Sequence, residues 1–280
     1  MQIREAIQQA SKKLAPSSES ARLDAELLLG KVLDKNRSYL FAWPEKELNS
    51  EQRTSFQALV EQRLQGHPVA YLLGYREFWG MELEVTPATL IPRPDTELLV
   101  QLALERIAEQ AAPTILDLGT GTGAIALALA KERSDASVLA LDKSNAALVI
   151  AKRNQQRLGV TNLKLLASDW FSVLPKNVRF DLIVSNPPYI PEADPHLSQG
   201  DVRFEPRSAL SSGLSGLDDL SYLIQTAPHY LAAKGWLLLE HGYDQGVAVT
   251  EHLKTTGYTE VACYQDLAGN DRVSLGHWSS

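Results

Sequence analysis

An α/β protein with a short all-helical preface is what this sequence predicts, on three observations. The first 70 or so residues repeat their apolar positions at helical spacing. Beyond about residue 89, short apolar runs alternate with helical stretches, the pattern of a mostly parallel sheet covered on both faces. The last two runs, "YTEVACYQ" and "DRVSLGHW", are joined by the turn-rich "DLAGN", which predicts an antiparallel pair at the sheet edge. The expected division is a helical domain over residues 1–72, a β-hairpin linker over 73–88 and an α/β domain over 89–280.

Each element has its own signal. Ile3, Ile7, Ala10 and Leu14 share one helical face, with Pro16 just past the end. "SESARLDAELLLGKVL" is a second amphipathic helix with a serine available as N-cap. "NSEQRTSFQALVEQRLQGHP" is a third, from an Asn49/Ser50 cap to Gly66 at C′, with Pro68 beyond. Short connections predict a small antiparallel bundle serving packing or recognition. Met81, Leu83 and Val85 alternate with Glu82 and Glu84, a half-buried strand that Trp79-Gly80 can fold back on Tyr75–Phe78 as a hairpin. A helix starts near Pro94. "TILDL", "SVLALD", "LKLLAS", "FDLIVS" and "GWLLLEH" are five strands, which the late pair brings to seven. One helix, "AIALALAKER", follows the first of them after "GTGTG", and another runs to Gly159.

Charge and cysteine narrow the function classes. The net charge is −7, and residues 1–80 carry 11 basic and 10 acidic side chains against 16 and 24 in the rest. A catalytic half at −8 with no basic stripe is a poor match for phosphate-driven nucleic-acid binding, so no direct nucleic-acid partner is expected. The one cysteine, Cys263, forms no internal disulfide and reads as a small buried apolar residue in a reduced, cytoplasmic compartment. The start, "MQIREAIQQA", has no signal-peptide core, and "AIALALA" is too short to span a bilayer. The histidines have no ligand-like spacing, so no metal is expected. No long exposed apolar stripe demands a partner, so a monomer is expected.

"ILDLGTGTGAIALALA" is a strand, a glycine-rich turn and a helix. Gly119 allows the tight turn, Gly121 lets a ligand approach the backbone, and the helix after Gly123 presents free N–H groups. Asp142, 23 residues after Gly119 at the tip of the next strand, can accept both hydroxyls of a ribose. To this point any nucleoside-containing cofactor fits, a dinucleotide included. Asp117, placed to hold an ammonium through a relay, and "SDWF", with Asp169 for an exocyclic amine and Trp170 for an apolar wall, favour S-adenosyl-L-methionine.

"FDLIVSNPPYI" ends a strand on Asn186-Pro187-Pro188-Tyr189, a stiff tip at the carboxyl end of a strand, where ligands of open α/β sheets bind. The side-chain oxygen of Asn186 and the carbonyl of Pro187 can each accept one N–H of a planar –NH₂ group. That draws its lone pair out of conjugation and favours the pyramidal transition state over the flat ground state. The prolines hold both acceptors in place, and the Tyr189 ring can stack on a flat acceptor. The tip therefore suits methylation of an amide or amino nitrogen on a π system.

Together the glycine loop, Asp142, "SDWF" and "NPPY" resemble those of class I S-adenosylmethionine-dependent N-methyltransferases, whose catalytic domain is Rossmann-like. "GYREFWGMELEVTPATLIPRPDTELLV" and "NPPYIPEADPHLSQGDVRFEPRSALSSGLSGLDDL" closely resemble the release-factor glutamine methyltransferases, the HemK/PrmC family, over the whole chain. The helical domain matches more by pattern than by residue.

The resemblance implies methylation of the side-chain amide nitrogen of the glutamine in the Gly-Gly-Gln motif of class I peptide chain release factors, with S-adenosyl-L-homocysteine as product. It implies cofactor binding by Gly119, Thr120, Gly121, Thr122, Gly123, Asp142, Trp170 and Asn186. The glutamine amide would be held by Asn186, Pro187, Pro188 and Tyr189, and the release factor by the helical domain. It further implies a mobile loop over 191–215, ordered by Glu205 and Arg207, and places Arg93 and Glu97 beside the cofactor. The rival readings are an N6-adenine DNA or RNA methyltransferase, which shares the Asn-Pro-Pro-Tyr tip, and an NAD-dependent oxidoreductase, which leaves that tip unexplained. A third is a non-catalytic adaptor that kept the fold, against which the intact loop and tip both count.

Overall fold

The computed structural model describes residues 1–279 and divides into two compact units, 1–75 with 199–204, and 76–198 with 205–279. In the first unit five helices form: α1 (Ile3–Leu14), α2 (Ala21–Leu33), α3 (Arg37–Ala42), α4 (Ser50–Leu64) and α5 (Val69–Leu73). Their core is built from Ile3, Ala6, Ala10 and Leu14 of α1, Ala25, Leu28 and Leu29 of α2, and Phe56 and Val60 of α4. Asn49 caps α4 as expected: its side chain takes the Gln52 N–H at 2.8 Å and Gln52 returns the bond at 3.0 Å.

Two details of this unit depart from expectation. The short helices α3 and α5 are too brief for a periodic signal. Ser20 stands at the N-cap of α2 without a capping bond, because its hydroxyl and that of Ser18 both donate to buried Asp24, each at 2.8 Å. Asp24 in turn pairs with Arg63 of α4 at 2.8 Å, and Arg63 also reaches Asp201 at 2.8 Å. Arg203 donates to the Gln65 carbonyl at 3.0 Å, and the Phe204 ring lies 4.6 Å from that of His67. Residues 199–204 therefore group with the helices despite following the fourth sheet strand in sequence.

The hairpin forms as the alternation requires, with β1 (Tyr75–Phe78) and β2 (Met81–Glu84) joined by Trp79-Gly80. Both turn residues have positive φ, 51° and 64°, the demand of a tight turn matched to the strand twist. Phe78, Met81 and Leu83 join the core of the second unit, and Arg153 of α8 (Asn145–Leu158) pairs with Glu84 at 2.9 Å.

The second unit is a seven-stranded sheet of β3 (Thr114–Leu118), β4 (Ser137–Asp142), β5 (Leu163–Ala167), β6 (Phe180–Ser185), β7 (Leu231–Glu240), β8 (Thr259–Gln265) and β9 (Asp271–Trp278). Its order is β5-β4-β3-β6-β7-β9-β8. The first five strands are parallel; β9 runs antiparallel between β7 and β8, so the late pair sits at the edge as expected with its second strand innermost. Both faces are buried. Ile115, Val138, Leu182, Val184 and Leu238 face one core with α6 (Glu97–Arg106) and α7 (Ala124–Glu132). Leu116, Leu141, Ile183, Leu237 and Leu239 face the other with α9 (Asp218–Thr226) and α10 (Gly246–Thr256). Burial on both faces is why these strands read as continuous apolar runs and not as alternating ones.

The sheet reverses its winding at β3, whose neighbours are β4 and β6, and that crevice is where an open α/β sheet takes its ligand. Strand register sets what meets there. Leu118 pairs with Leu141 on one side and Ser185 on the other, and Ser185 pairs with Leu239. The row that follows, Gly119 and Asn186 just past their strands and Asp142 and Glu240 as the last residues of theirs, therefore stands at the carboxyl edge of the sheet.

Candidate functional site

A cavity of about 520 Å³ opens at that row. Of the residues singled out from the sequence, Gly119, Thr120, Gly121, Thr122, Asp142, Asp169, Trp170, Asn186, Pro188 and Arg93 line it, while Gly123, Pro187, Tyr189, Asp117, Glu97 and Glu205 do not. Gly123 instead stands at the N-cap of α7 with φ 85°, where the αL conformation and close packing on Ala151 both call for glycine.

The glycine loop is fixed by backbone bonds to the neighbouring strand. The N–H groups of Gly119 and Thr120 both donate to the Leu141 carbonyl at 2.9 Å, and that of Gly123 closes a turn on Thr120 at 2.8 Å. Gly121 has φ 56°, and a Cβ built on it meets nothing within 4 Å, so its face is open to the cavity. Asp142 takes the N–H groups of Gly121 and Ser144, each at 2.8 Å, one on each carboxylate oxygen. Burial pushes its pKa up, against those two bonds.

Asp117 lies beneath the loop, fully buried. It accepts the Thr120 hydroxyl at 2.6 Å on one oxygen, while the other has no hydrogen-bond partner. Desolvation raises its pKa to about 7, the Asp142 charge adds to the rise, and the bond from Thr120 opposes it. Behind the loop, out of reach of the cavity wall, lies a buried carboxyl with one unpartnered oxygen, while Gly121 leaves an open backbone face on the cavity itself. Both fit a cationic nucleoside cofactor such as S-adenosyl-L-methionine.

Trp170 adopts positive φ, 49°, donates its indole N–H to Asp219 at 3.2 Å and packs against Gly119. Asp169 beside it is paired with Lys143 at 3.2 Å on the exposed rim.

At the tip, Asn186 donates from Nδ2 to Thr96 Oγ1 at 3.2 Å. The Tyr189 phenol packs within the second core and donates to Glu240 Oε1 at 3.4 Å, and burial together with that carboxylate pushes its pKa up. Its backbone is tied on both sides, with its N–H on the Leu210 carbonyl at 3.1 Å and its own carbonyl accepting from Gln245 at 2.9 Å. The tyrosine is tied to the sheet by these bonds and is not among the residues lining the cavity.

The segment 191–215 is tied to the tip by the Ser212 N–H on the Ile190 carbonyl, closes on itself by the Glu192 N–H on the Gly213 carbonyl, each at 3.0 Å, and carries three 3-10 turns. Glu205 does order it: the carboxylate is buried, takes the Ile91 N–H at 2.9 Å and pairs with Arg93. Arg207 contributes through its carbonyl, which accepts from Leu210 and Ser211 at 3.0 Å, while its side chain is exposed. Glu97 bonds the Trp79 N–H of the hairpin turn at 2.8 Å; its neighbour Thr96, and not Glu97 itself, is among the lining residues. Sequence reasoning missed Thr96, which lines the cavity and bonds Asn186, and Glu240, which bonds Tyr189. For the second the sequence offered only an acid ending the apolar run "GWLLLE".

Comparison with known proteins bears on the whole chain. Residues 5–74 match the PrmC N-terminal domain and residues 95–200 the methyltransferase small domain. The release factor glutamine methyltransferase of Pseudomonas aeruginosa is 54% identical over 264 residues, covering 94% of this chain and 95% of that protein. Its counterpart from Shewanella oneidensis is 53% identical over 276 residues, covering 99% and 96%. Among solved structures, a methyltransferase from Pyrococcus furiosus aligns with TM-score 0.54 at 20% identity, over 80% of this chain and 98% of that one, a likeness of fold alone.

Proposed function

The chain belongs to the release factor glutamine methyltransferase family, and from that premise we propose that the cavity between β3 and β6 is where cofactor and glutamine amide meet. It is an S-adenosylmethionine-dependent enzyme that methylates a glutamine of peptide chain release factors. The finer assignments are ours: the acceptor is the glutamine of the Gly-Gly-Gln motif, and the enzyme works as a monomer without contacting nucleic acid. The helical unit recognises the release factor.

When bound, S-adenosyl-L-methionine supplies an electrophilic methyl on a sulfonium. Gly119 to Thr122 and Asp142 would hold its nucleoside, and Trp170 would wall the base. Gly123 acts from one step further back, by setting the loop. The carboxyl of Asp117 works through Thr120, keeping negative potential under the cationic end.

The acceptor side is the work of the tip. The Asn186 side-chain oxygen and the Pro187 carbonyl accept the two N–H bonds of the glutamine amide. Both acceptors aim at a nitrogen whose positive charge grows as its lone pair leaves the amide plane, so they bind the transition state more strongly than the flat ground state. Transfer of that methyl to the amide nitrogen would leave S-adenosyl-L-homocysteine, with the displaced amide proton passing to solvent. Pro188 shapes the wall, and Tyr189 keeps the tip in place by its bond to Glu240.

The observation that carries this reading is the register row: Gly119, Asp142 and Asn186 leave adjacent strands side by side. It is tested by transfer of labelled methyl from S-adenosyl-L-methionine to a purified release factor, with its Gly-Gly-Ala variant and an adenine-containing oligonucleotide as controls. Label on the unaltered factor alone is expected, and label on the oligonucleotide would overturn the acceptor. In the same assay Asn186→Ala should lower transfer by on the order of a hundredfold or more while cofactor affinity changes far less. Full turnover in that variant would remove the side chain from the mechanism.

A further inference from the structure

Pro187 and Pro188 have no N–H with which to tie themselves to a neighbour, so the stretch between Ser185 and Tyr189 is placed mainly by its two ends. The near end is β6, where Ser185 pairs with Leu118 and with Leu239. The far end is Tyr189, past the strand and held by bonds to loops. Its N–H is on the Leu210 carbonyl at 3.1 Å, and its carbonyl takes Nε2 of Gln245 at 2.9 Å.

Gln245 is 8% exposed and stands at the N-cap of α10, yet its side chain makes no capping bond there. It reaches away from the helix instead. Its Oε1 takes the Gly242 N–H at 2.8 Å, and its own backbone N–H returns a bond to the Gly242 carbonyl at 3.0 Å, so the turn after β7 closes on this side chain. The other end of the amide donates to the Tyr189 carbonyl and, at 3.4 Å, to that of Gly216. Main-chain groups fix which end is which, because an N–H only donates and a carbonyl only accepts. Gly216 has φ +76°, and a Cβ there would overlap the Tyr189 oxygen, so glycine is what admits the tip to the amide. An apolar side chain would leave both main-chain groups unserved, and a carboxylate would set an oxygen against the Tyr189 carbonyl.

We propose that Gln245 is a positioning residue for methyl transfer, which fixes the outer end of the Asn-Pro-Pro-Tyr tip to the turn after β7 and so sets where the Asn186 side chain and the Pro187 carbonyl stand toward the acceptor nitrogen. The inference rests on the acceptor role given to that tip above. It puts a determinant of acceptor geometry 56 residues beyond Tyr189, on a side chain outside the cavity lining.

The test compares the full chain with Gln245→Met and Gln245→Glu, at a temperature where circular dichroism shows each folded. Methionine keeps the length and removes both polar ends; glutamate keeps the acceptor for Gly242 and removes only the donor to Tyr189. In methyl transfer to a release factor, Gln245→Met should lower kcat about tenfold to a hundredfold while KM for the cofactor stays within about threefold, the loss expected when a reacting group is displaced by ~1 Å. Gln245→Glu should be as slow at about pH 9, well above the ordinary carboxyl range. A kcat unchanged in the methionine variant overturns the proposal. So does recovery with glutamate, which would assign the loss to the turn after β7. The tether is read separately from any acceptor by hydrogen exchange of the Tyr189 and Ile190 amides, which should be about tenfold faster or more in Gln245→Met. Unchanged exchange overturns the proposal whatever the kinetics. Faster exchange, in a protein whose unaltered chain leaves release factors unlabelled, would instead remove the acceptor assignment and leave the tether standing.

Discussion

Glu240, buried at the end of β7, makes the stability of the fold depend on pH. Burial pushes its pKa from the usual 4.5 to about 7, opposed by Thr96 and Arg272, with Asp95 adding to the rise and Tyr189 opposing it. Between those two values the folded chain holds a proton that the unfolded chain has released. The stability linked to that proton is therefore complete below about pH 4.5 and lost as pH rises through 7. Asp117, raised from 3.8 to about 7, acts in the same window, so a pH scan of the unaltered chain mixes the two. Glu240→Gln separates them. Its stability relative to the unaltered chain should improve by on the order of 2–3 kcal/mol between pH 5 and pH 8, read by urea denaturation at both values. A difference that does not change with pH would show that Glu240 is already ionised in the fold at pH 5.

At the scale of elements, the cofactor loop is braced from behind by a helix. Asn154 of α8 is fully buried and bonds three backbone groups: the Glu84 N–H at 2.7 Å, the Glu84 carbonyl at 3.1 Å and the Thr122 carbonyl at 3.0 Å. One amide thus joins strand β2 of the hairpin to the glycine turn after β3, and the hairpin is part of the cofactor site's support and not only a linker. Removing the amide leaves buried backbone groups unpaired, which costs more than the bonds contribute. Asn154→Ala should destabilise the chain by about 2–4 kcal/mol in urea denaturation and weaken cofactor binding at temperatures where the fold is intact. A loss of stability with unchanged cofactor affinity would mean that the glycine turn holds its shape alone. The sequence made β2 and α8 visible by their periods but not their connection, since a buried asparagine in a helix carries no periodic signal of its own.

On the scale of the whole molecule, the chain does not divide at a single point. Residues 199–204 group with the helices at the other end of the sequence, held by Arg63, whose side chain is 12% exposed and bonded to both Asp24 and Asp201. Gly66 lies so close to the Arg203 guanidinium that a Cβ there would overlap it, which matches the +92° φ that already requires glycine. Arg63→Ala leaves Asp24 buried without its cation and frees Asp201. Trypsin should then cut after Arg203 several-fold faster than in the unaltered chain, with the first cut mapped by mass spectrometry. Equal rates would assign the anchoring to the Phe204–His67 contact and the Arg203 bond to Gln65.

The sequence by itself determined the class of fold, the seven strands, the hairpin, the helix caps at Asn49 and Gly66, the glycine-rich turn between a strand and a helix, and the stiff Asn-Pro-Pro-Tyr tip at a strand's end. These are local properties: period, turn chemistry and stiff motifs are written in consecutive residues. Only the tertiary structure decided which motif residues reach the cavity. Tyr189 and Gly123 belong to their motifs yet stand outside the lining, while Thr96, 90 residues before Asn186 in the chain, bonds its side chain at the cavity wall. The reason is register. Which residues leave a sheet side by side depends on how strands pair, and pairing across 50 or 100 residues is set by packing on both faces of the sheet, which no short stretch of sequence contains.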